Sequence, residues 1–243
     1  MTGVVVTGGT GGIGSVVVES LSETDIAFSY LTEGETADAL VDGAPAGFER
    51  SAFHMDVTDS ASVASFFDAA ADRLDGVDAV VHTVGVVDPA TIDESTDAQW
   101  SRVVEANLVG SFRVARAAVP HLRESAGSLV FLSSIGGTAG TVDTSYAASK
   151  SGLHGLVRAL ARELGPDDVR VNAIAPGPVD TSMNDVIVDY LESTDFLGHE
   201  TLDTHLPDYA CSPAEIAKAV RYLLDSSFAH GEILNVNGGM QFR

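Results

Sequence analysis

The sequence predicts the α/β class: a doubly wound, seven-stranded parallel sheet with helices on both faces, in one domain spanning 1–243. Three observations predict it. Short β-rich runs alternate with helical patterns along the whole chain. Several of those runs are almost wholly apolar, as strands buried on both faces of a parallel sheet must be. The first run, "GVVVT", passes straight into a turn with five glycines in seven residues, Gly8 to Gly14, and then into a helical pattern.

The elements follow in order. β-rich runs stand at 3–7, 26–30, 51–55, 78–84, 128–133, 169–175 and 232–236. "SVVVESLSET", after the glycines, reads as helix. In 60–74, Val63, Phe66, Phe67, Ala70 and Leu74 recur at three- and four-residue steps, with Asp59 or Ser60 as the N-cap. In 97–119, Trp100, Val103, Val104, Leu108, Phe112 and Ala115 form a similar stripe and predict one helix. Further helices are expected over 146–164, ending at "GPDD", and over 213–224. No linker, repeat or low-complexity segment interrupts the pattern. The one long insertion, 182–210, lies between the last two strands and carries no Lys or Arg. Its apolar residues could pair as short helices. An insertion at the mouth of an α/β sheet commonly forms a lid over a binding site.

Composition narrows the partners. Hydrophobic residues make up 45% of the chain, enough for a packed core. A net charge of -22, from 35 acidic and 13 basic residues, opposes binding to nucleic acid or to an anionic membrane. The acids are scattered rather than gathered in a tail. That is the pattern of a solvated surface suited to high salt, where self-repulsion is screened, and a halophilic source is expected. No run of ~18 apolar residues predicts a membrane span. The stretch after Met1 has neither the basic flank nor the length of a signal peptide, so a cytoplasmic location is expected. Cys211 is the only cysteine; it can form no intrachain disulfide, and no Cys/His spacing suggests a metal.

The glycine turn supports two overlapping spacings. Gly9, Gly11 and Gly14 fit G-x-G-x-x-G, whereas Thr7, Gly8, Gly12 and Gly14 fit T-G-x-x-x-G-x-G. In either, glycine permits positive φ and close approach of backbone to a pyrophosphate, and the following helix offers free N–H groups. A strand before and a helix after favour nucleotide binding over a plain flexible turn. The first spacing wants an acidic residue about 20 positions on, at the end of the second strand, for the ribose hydroxyls. Ser29, Tyr30, Leu31 and Thr32 occupy that place, and no carboxylate follows before Glu33. The second spacing is therefore favoured. Gly8, Gly12 and Gly14 are its required glycines, with Gly9 and Gly11 filling the loop between.

Downstream stands "FLSSIGGTAGTVDTSYAASKSGL". Tyr146 and Lys150 are four residues apart and share a helix face. An ammonium nearby favours the phenolate and lowers the Tyr pKa. Such a tyrosine can give a proton to a developing alkoxide or take one back. Ser133 and Ser134 end a strand thirteen and twelve residues before Tyr146, where a hydroxyl could hydrogen-bond the substrate oxygen. Lys150 is one of only two lysines in the chain, which argues against a mere solvated-face role.

With these residues in place, the chain resembles the short-chain dehydrogenase/reductase family in its single-domain, Rossmann-type form, over essentially the whole length. The nearest branch in character is that of 3-oxoacyl-(acyl carrier protein) and acetoacetyl-CoA reductases. The motifs carrying the likeness are "TGGTGGIG", "MDVTD", "NLVG", "SS…YAASK", "APGPVDT", "SPAEIAKAVRYLL" and "GEILNVNGG". The resemblance implies hydride transfer between nicotinamide C4 and a carbonyl carbon of a small carbonyl or alcohol substrate. Tyr146 is then the general acid/base. Lys150 lowers its pKa and binds the nicotinamide ribose. Ser134 polarises the carbonyl, and Asn107 holds a water that extends the proton relay. The implied cofactor contacts are Gly8, Thr10, Gly12, Ile13 and Gly14 in the turn, Asp56 and Val57 at the adenine, and Gly85, Tyr146 and Lys150. Pro176, Gly177, Val179 and Thr181 follow beside the nicotinamide. A homotetramer or homodimer through the helices carrying Trp100 and Tyr146 is implied as well.

Three departures bear on that reading. The family's N-N-A-G after the fourth strand is "HTVG" here, so His82 and Thr83 replace asparagines while Gly85 is kept. A lone His82 reads as a satisfied core residue rather than a catalyst. The serine is ambiguous: Ser133 has the usual offset from Tyr146, and Ser134 better fits the strand end before "IGG", which favours Ser134. Finally, neither an acid nor a base ends the second strand or enters the glycine turn. Without a repelling carboxylate the expectation tilts to NADP, with NAD as the alternative and Ser29 or Thr32 as contacts to the 2′-phosphate. The rival classes are a nucleotide-sensing protein of the same fold without catalysis, and an epimerase or dehydratase. The latter generally carries a longer C-terminal substrate domain. On the substrate, a neutral alcohol, sugar or ketone stands beside a 3-oxoacyl group.

Overall fold

A computed structural model describes residues 3–141, 143–194 and 205–241. Seven strands form one parallel sheet in the order β3-β2-β1-β4-β5-β6-β7. They are β1 (Gly3–Thr7), β2 (Asp25–Tyr30), β3 (Arg50–His54), β4 (Ala79–His82), β5 (Ser128–Leu132), β6 (Arg170–Pro176) and β7 (Ile233–Val236). The strands β1, β4 and β5 are buried at every position, which is why their sequences read as unbroken apolar runs. β4 is shorter than the apolar run from 78 to 84 suggests. Past His82, the Thr83 N–H makes one more bond to β1, at Thr7 O, 3.0 Å.

Side chains alternate between the two faces of the sheet. On one face Val5, Val80, Leu129 and Phe131 pack under α3 (Ser60–Arg73), α5 (Gly110–Ser125) and α7 (Thr144–Leu164). On the other, Val4, Val6, Phe28 and Ile174 pack under α1 (Gly14–Ser20), α2 (Gly34–Asp42) and α9 (Pro213–Asp225). The stripe Val63, Phe66, Phe67, Ala70 and Leu74 is buried as its spacing predicts. Each of the Val, Phe and Leu side chains contributes ~1.5–3 kcal/mol by leaving water. Asp59 caps α3 by accepting a hydrogen bond from the Ala61 N–H, which decides between the two candidate caps.

The single helix expected over 97–119 is broken into α4 (Asp97–Val104), a π-turn over Glu105–Val109, and α5. Thr96 and Gln99 open α4 with a reciprocal capping box. The wider turn holds one extra residue, so a single 3.6-residue stripe cannot run through it. Val103 and Ala115 are buried, but Trp100 and Phe112 from the expected stripe are 42% and 46% exposed. Asn107, inside the π-turn, is fully buried.

The described residues also hold the short α6 (Gly136–Ala139) after β5, a 3-10 turn over Gly165–Asp167, and α8 (Ser182–Ser193). α8 begins the insertion expected as a lid; its continuation over 195–204 lies outside the described residues. The strand order reverses between β1 and β4. Loops leaving the C-terminal ends of those two strands therefore diverge and open a crevice between them.

Candidate active site

A cavity of about 780 Å³ occupies that crevice. The glycine turn and the end of β2 line one end. The ends of β4 and β5, the start of α7, the segment after β6 and the underside of α8 line the other.

The glycine turn is shaped by contacts that leave no room for side chains. Gly8 has φ +75°, and a Cβ there would lie 2.9 Å from Val84 Cγ2. A Cβ on Gly14 would overlap the Gly8 carbonyl oxygen, and one on Gly12 would meet the Thr181 methyl at 2.7 Å. Gly9, expected only to fill the loop, would place its Cβ 2.7 Å from the Phe28 ring. Only at Gly11 is there room in the turn, with Gly8 O at 3.4 Å. Thr10 and Ile13 line the same end of the cavity.

The "HTVG" departure keeps the β1–β4 bonding by other means. The Thr83 hydroxyl lies 2.8 Å from Thr7 O and 3.0 Å from Gly8 O, a donor shared between two carbonyls. His82 Nδ1 is 2.6 Å from the Thr7 hydroxyl, and its ring stands edge-on to Phe131. Burial, helped by the Lys150 charge, lowers the His82 pKa to about 3, so the ring is neutral. Its Nε2 has no partner among the described residues. Next to it, Asn107 Oδ1 accepts from Val86 N–H at 2.8 Å and Nδ2 donates to Val86 O at 2.9 Å. Nδ2 also reaches Ser149 Oγ at 3.2 Å. Asn107 therefore stands behind the cavity wall and holds the Gly85–Val86 peptide. Its own carbonyl oxygen accepts from the Ser111 hydroxyl at 2.6 Å.

Tyr146 and Lys150 point into the cavity from one face of α7. Asp143 caps that helix, taking the Tyr146 N–H at 2.9 Å. Both serines line the cavity, but their hydroxyls meet different partners. Ser133 is buried, with its hydroxyl 2.7 Å from His154 Nε2 one turn beyond Lys150. Ser134 lines the cavity beside the Tyr146 phenol and accepts from Gly136 N–H at 3.0 Å. Lys150 Nζ donates to Leu132 O at 2.8 Å and lies 5.6 Å from the Tyr146 ring centroid.

The pKa expected of Tyr146 is corrected by this arrangement. Burial raises it, while hydrogen bonding to Ser134 pulls it partly back. Burial lowers the Lys150 pKa from 10.5 to about 8.

At the glycine-turn end, the Ser29 hydroxyl accepts from Gly8 N–H at 3.0 Å and is almost fully buried. The Thr32 hydroxyl donates to Glu33 at 2.8 Å. The Thr32 hydroxyl, expected to face a 2′-phosphate, thus donates to Glu33, whereas the Ser29 hydroxyl is only an acceptor toward Gly8. Met55 and Val57 line the cavity. Asp56 lies outside the lining, and its carboxylate takes the Thr58 N–H and hydroxyl at 2.8 and 2.7 Å.

On the far side, a Cβ on Gly177 would sit 2.8 Å from Asn237 Cα, so only glycine lets β6 and the chain after β7 close together there. Pro176, Gly177, Val179 and Thr181 all line the cavity. Of the predicted residues only Asp56 and Asn107 are absent from its wall. Sequence reasoning named Thr83 only as a departure and passed over His154 and the placement of Glu33; each depends on a contact between segments far apart in the chain.

A family model described as enoyl-(acyl carrier protein) reductase matches residues 8–241. The 3-oxoacyl-[acyl-carrier-protein] reductase MabA of Mycobacterium tuberculosis is 32% identical, over 98% of this chain and 92% of its own. The acetoacetyl-CoA reductase of Synechocystis sp. is 36% identical, over 97% of this chain and 94% of that one. A crystal structure of a dehydrogenase/reductase from Sinorhizobium meliloti 1021 has a TM-score of 0.87 at 28% identity, covering 99% and 95% of the two chains. Fold and relatives together define the class, an oxidoreductase acting on CH–OH groups from a Rossmann-type sheet. Within that class, the chain belongs to the short-chain dehydrogenase/reductase family.

Proposed function

We propose that residues 1–243 act as one catalytic domain that interconverts a carbonyl and an alcohol with a nicotinamide dinucleotide. One observation carries the reading: Ser134, Tyr146 and Lys150 share a single cavity with the glycine turn. The turn suits such a cofactor because the positions that would crowd a phosphate carry no Cβ. When bound, the dinucleotide supplies or accepts the hydride. Tyr146, kept protonated by burial, gives its proton to the substrate oxygen in reduction and recovers it in oxidation. Ser134 donates a hydrogen bond to the same oxygen. Lys150 holds the nicotinamide ribose and, with a pKa of about 8, remains largely cationic at neutral pH. Gly8, Thr10, Gly12, Ile13, Gly14, Val57, Gly85, Pro176, Gly177, Val179 and Thr181 take the rest of the dinucleotide. Asp56 shapes the turn that presents Val57, and Asn107 positions the Gly85–Val86 peptide.

The wall around Tyr146 includes Val86, Ile135, Ala139, Met183, Ile187 and Leu191. This apolar lining supports a carbonyl on an apolar body, and a 3-oxoacyl thioester is the first candidate. Among the described residues Lys150 is the only cation in the lining. That favours, as a second reading, a neutral ketone or alcohol free of any carrier. The exposed Trp100 and Phe112 support a homodimer or homotetramer through α4, α5 and α7. A halophilic, cytoplasmic setting fits the net charge of -22. No helix of the described residues is long and apolar enough to cross a membrane.

The test is oxidation of NADH and NADPH at molar salt with acetoacetyl-CoA, longer 3-oxoacyl thioesters, apolar ketones and sugars. Turnover on an apolar carbonyl is expected, falling ~10²–10⁴-fold in Tyr146→Phe with dinucleotide binding kept. Dinucleotide binding without turnover on any carbonyl would overturn the catalytic reading and leave a nucleotide-sensing protein.

A further inference from the structure

We propose that Asp143 is a positioning residue for the carbonyl chemistry. Its buried carboxylate locks the first turn of α7, which carries Tyr146, to the loop after β4, which forms the facing wall of the cavity. The inference rests on the catalytic reading of the cavity and deepens it.

The two walls are near in space and far apart in sequence. Thr83, Val84, Gly85 and Val86 line the cavity from the β4 side, and Tyr146 and Lys150 line it from α7. A Cβ on Gly85 would lie 3.3 Å from Lys150 Nζ, so the walls meet closely. A carbonyl held between them must reach the Tyr146 phenol and the hydride position at once. A misplacement of ~1 Å costs on the order of 10²-fold in rate. Yet the loop wall has no regular structure to stiffen it, since the chain forms neither strand nor helix between His82 and Asp97.

Asp143 supplies the stiffness. One carboxylate oxygen accepts from the Tyr146 N–H at 2.9 Å and from the Ser145 hydroxyl at 2.6 Å. The other oxygen accepts from the Asp88 N–H at 2.9 Å, across 55 positions of chain. Asp88 stands two residues beyond Val86, and Asp143 three residues before Tyr146. The Asp88 carboxylate pairs in turn with Arg102 of α4, so the loop is gripped from two helices.

A plain helix cap does not need this. Asp59 caps α3 with a single bond from the Ala61 N–H. At Asp143 all three partners are donors, and only an ionised carboxylate accepts on both oxygens and donates on neither. Asn would keep one oxygen for the cap and turn an NH₂ group toward a second donor. The anchor is also distinct from Asn107, which holds Val86 and meets α7 at Ser149 Oγ, 3.2 Å away. Ser149 lies three residues along α7 from Tyr146. Held there alone, the loop is free to pivot; the second anchor, at the turn of Tyr146 itself, removes the pivot.

The test compares the wild type with Asp143→Asn and with Ser125→Ala. Ser125→Ala is the control for lost stability. It removes a hydroxyl bond to Val77 O, 2.7 Å long, at the opposite end of the sheet. If Asp143→Asn does not fold in a thermal melt, Asp143→Ser takes its place, a capping residue too short to reach Asp88. Hydrogen–deuterium exchange over 83–96 is read without substrate. The kcat for the carbonyl turned over and the dinucleotide Kd are read separately.

In Asp143→Asn, exchange in the loop should quicken ~10-fold or more. The kcat should fall ~10-fold or more while dinucleotide Kd stays within ~2-fold. Ser125→Ala should leave all three in place. Unchanged loop exchange, or an unchanged kcat, would reduce Asp143 to a helix cap and overturn the proposal. An equal loss of kcat in Ser125→Ala would overturn it too. A wild type that turns over no carbonyl would overturn the catalytic reading and this role together. That outcome stays distinct, because exchange reports the clamp without any turnover.

Discussion

Replacing Lys150 with Met should remove a pH dependence of stability that this one side chain creates. Lys150 is 3% exposed, and burial lowers its pKa from 10.5 to about 8. The folded-state value is therefore depressed. Between about pH 8 and pH 10.5 the unfolded chain keeps a proton that the folded chain has released, so stability rises with pH across that window. Below pH 8 both states are charged and the penalty of burying the ammonium applies in full. The shift from 10.5 to about 8, at ~1.36 kcal/mol per pH unit, makes that penalty roughly 3 kcal/mol. Urea unfolding of the wild type and Lys150→Met, at pH 7.5 and pH 10 and fixed salt, measures it. Subtracting one protein from the other cancels the groups they share, Tyr146 included. The wild type should gain roughly 2–3 kcal/mol on the variant over that interval. A difference within ~0.5 kcal/mol would mean that Lys150 titrates as a solvated amine, and the reasoning from burial would fail.

Ser134→Ala should lower kcat/KM by ~10-fold or more at little cost in stability, while Ser133→Ala should do the reverse. The second change strands His154 Nε2, now 2.7 Å from the hydroxyl, and should cost ~1–3 kcal/mol in urea unfolding. A large kinetic loss at Ser133 with little at Ser134 would exchange their roles. Gly14→Ala should destabilise by ~1–3 kcal/mol or more, because its Cβ overlaps the Gly8 carbonyl, and should weaken dinucleotide binding. Gly11→Ala, with its nearest neighbour at 3.4 Å, should be neutral or stabilise by ~0.4–1 kcal/mol; equal effects at the two sites in thermal melts would refute the packing argument. Dialysis from molar salt into low salt should lower Tm by more than about 5 °C as the net charge of -22 loses its screening, and an unchanged Tm would remove the case for halophily.

The sheet was legible because parallel strands buried on both faces leave a mark that needs no partner to read: Val4, Val5 and Val6 are apolar in unbroken succession. The face shared by Tyr146 and Lys150 was legible for a similar reason, since four-residue spacing on one helix is a local property. The π-turn at Glu105–Val109 was not. A stripe drawn from Trp100 to Ala115 assumes one helical period throughout, and nothing in the residue types announces the added residue. The sequence favoured Ser134 by its place at the strand end, but what each hydroxyl meets was not legible, because His154 comes from another element. Glu33 is the plainest case. Its position beyond the strand end argued against a role at the ribose, yet the Thr10 hydroxyl holds it against the glycine turn.

Asn107 has a consequence for the chain just after β4. Its side-chain amide offers Val86 one acceptor and one donor, at 2.8 and 2.9 Å, the same pair that a neighbouring strand's peptide would offer. A helical segment thereby supplies the bonds that a strand would. Four residues past His82, Val86 has both its N–H and its carbonyl bonded, although the segment facing Lys150 looks like loop. Only a primary amide can do this. An Asp would set oxygen against the Val86 carbonyl, and a Leu of similar size would leave both backbone groups buried and unpaired.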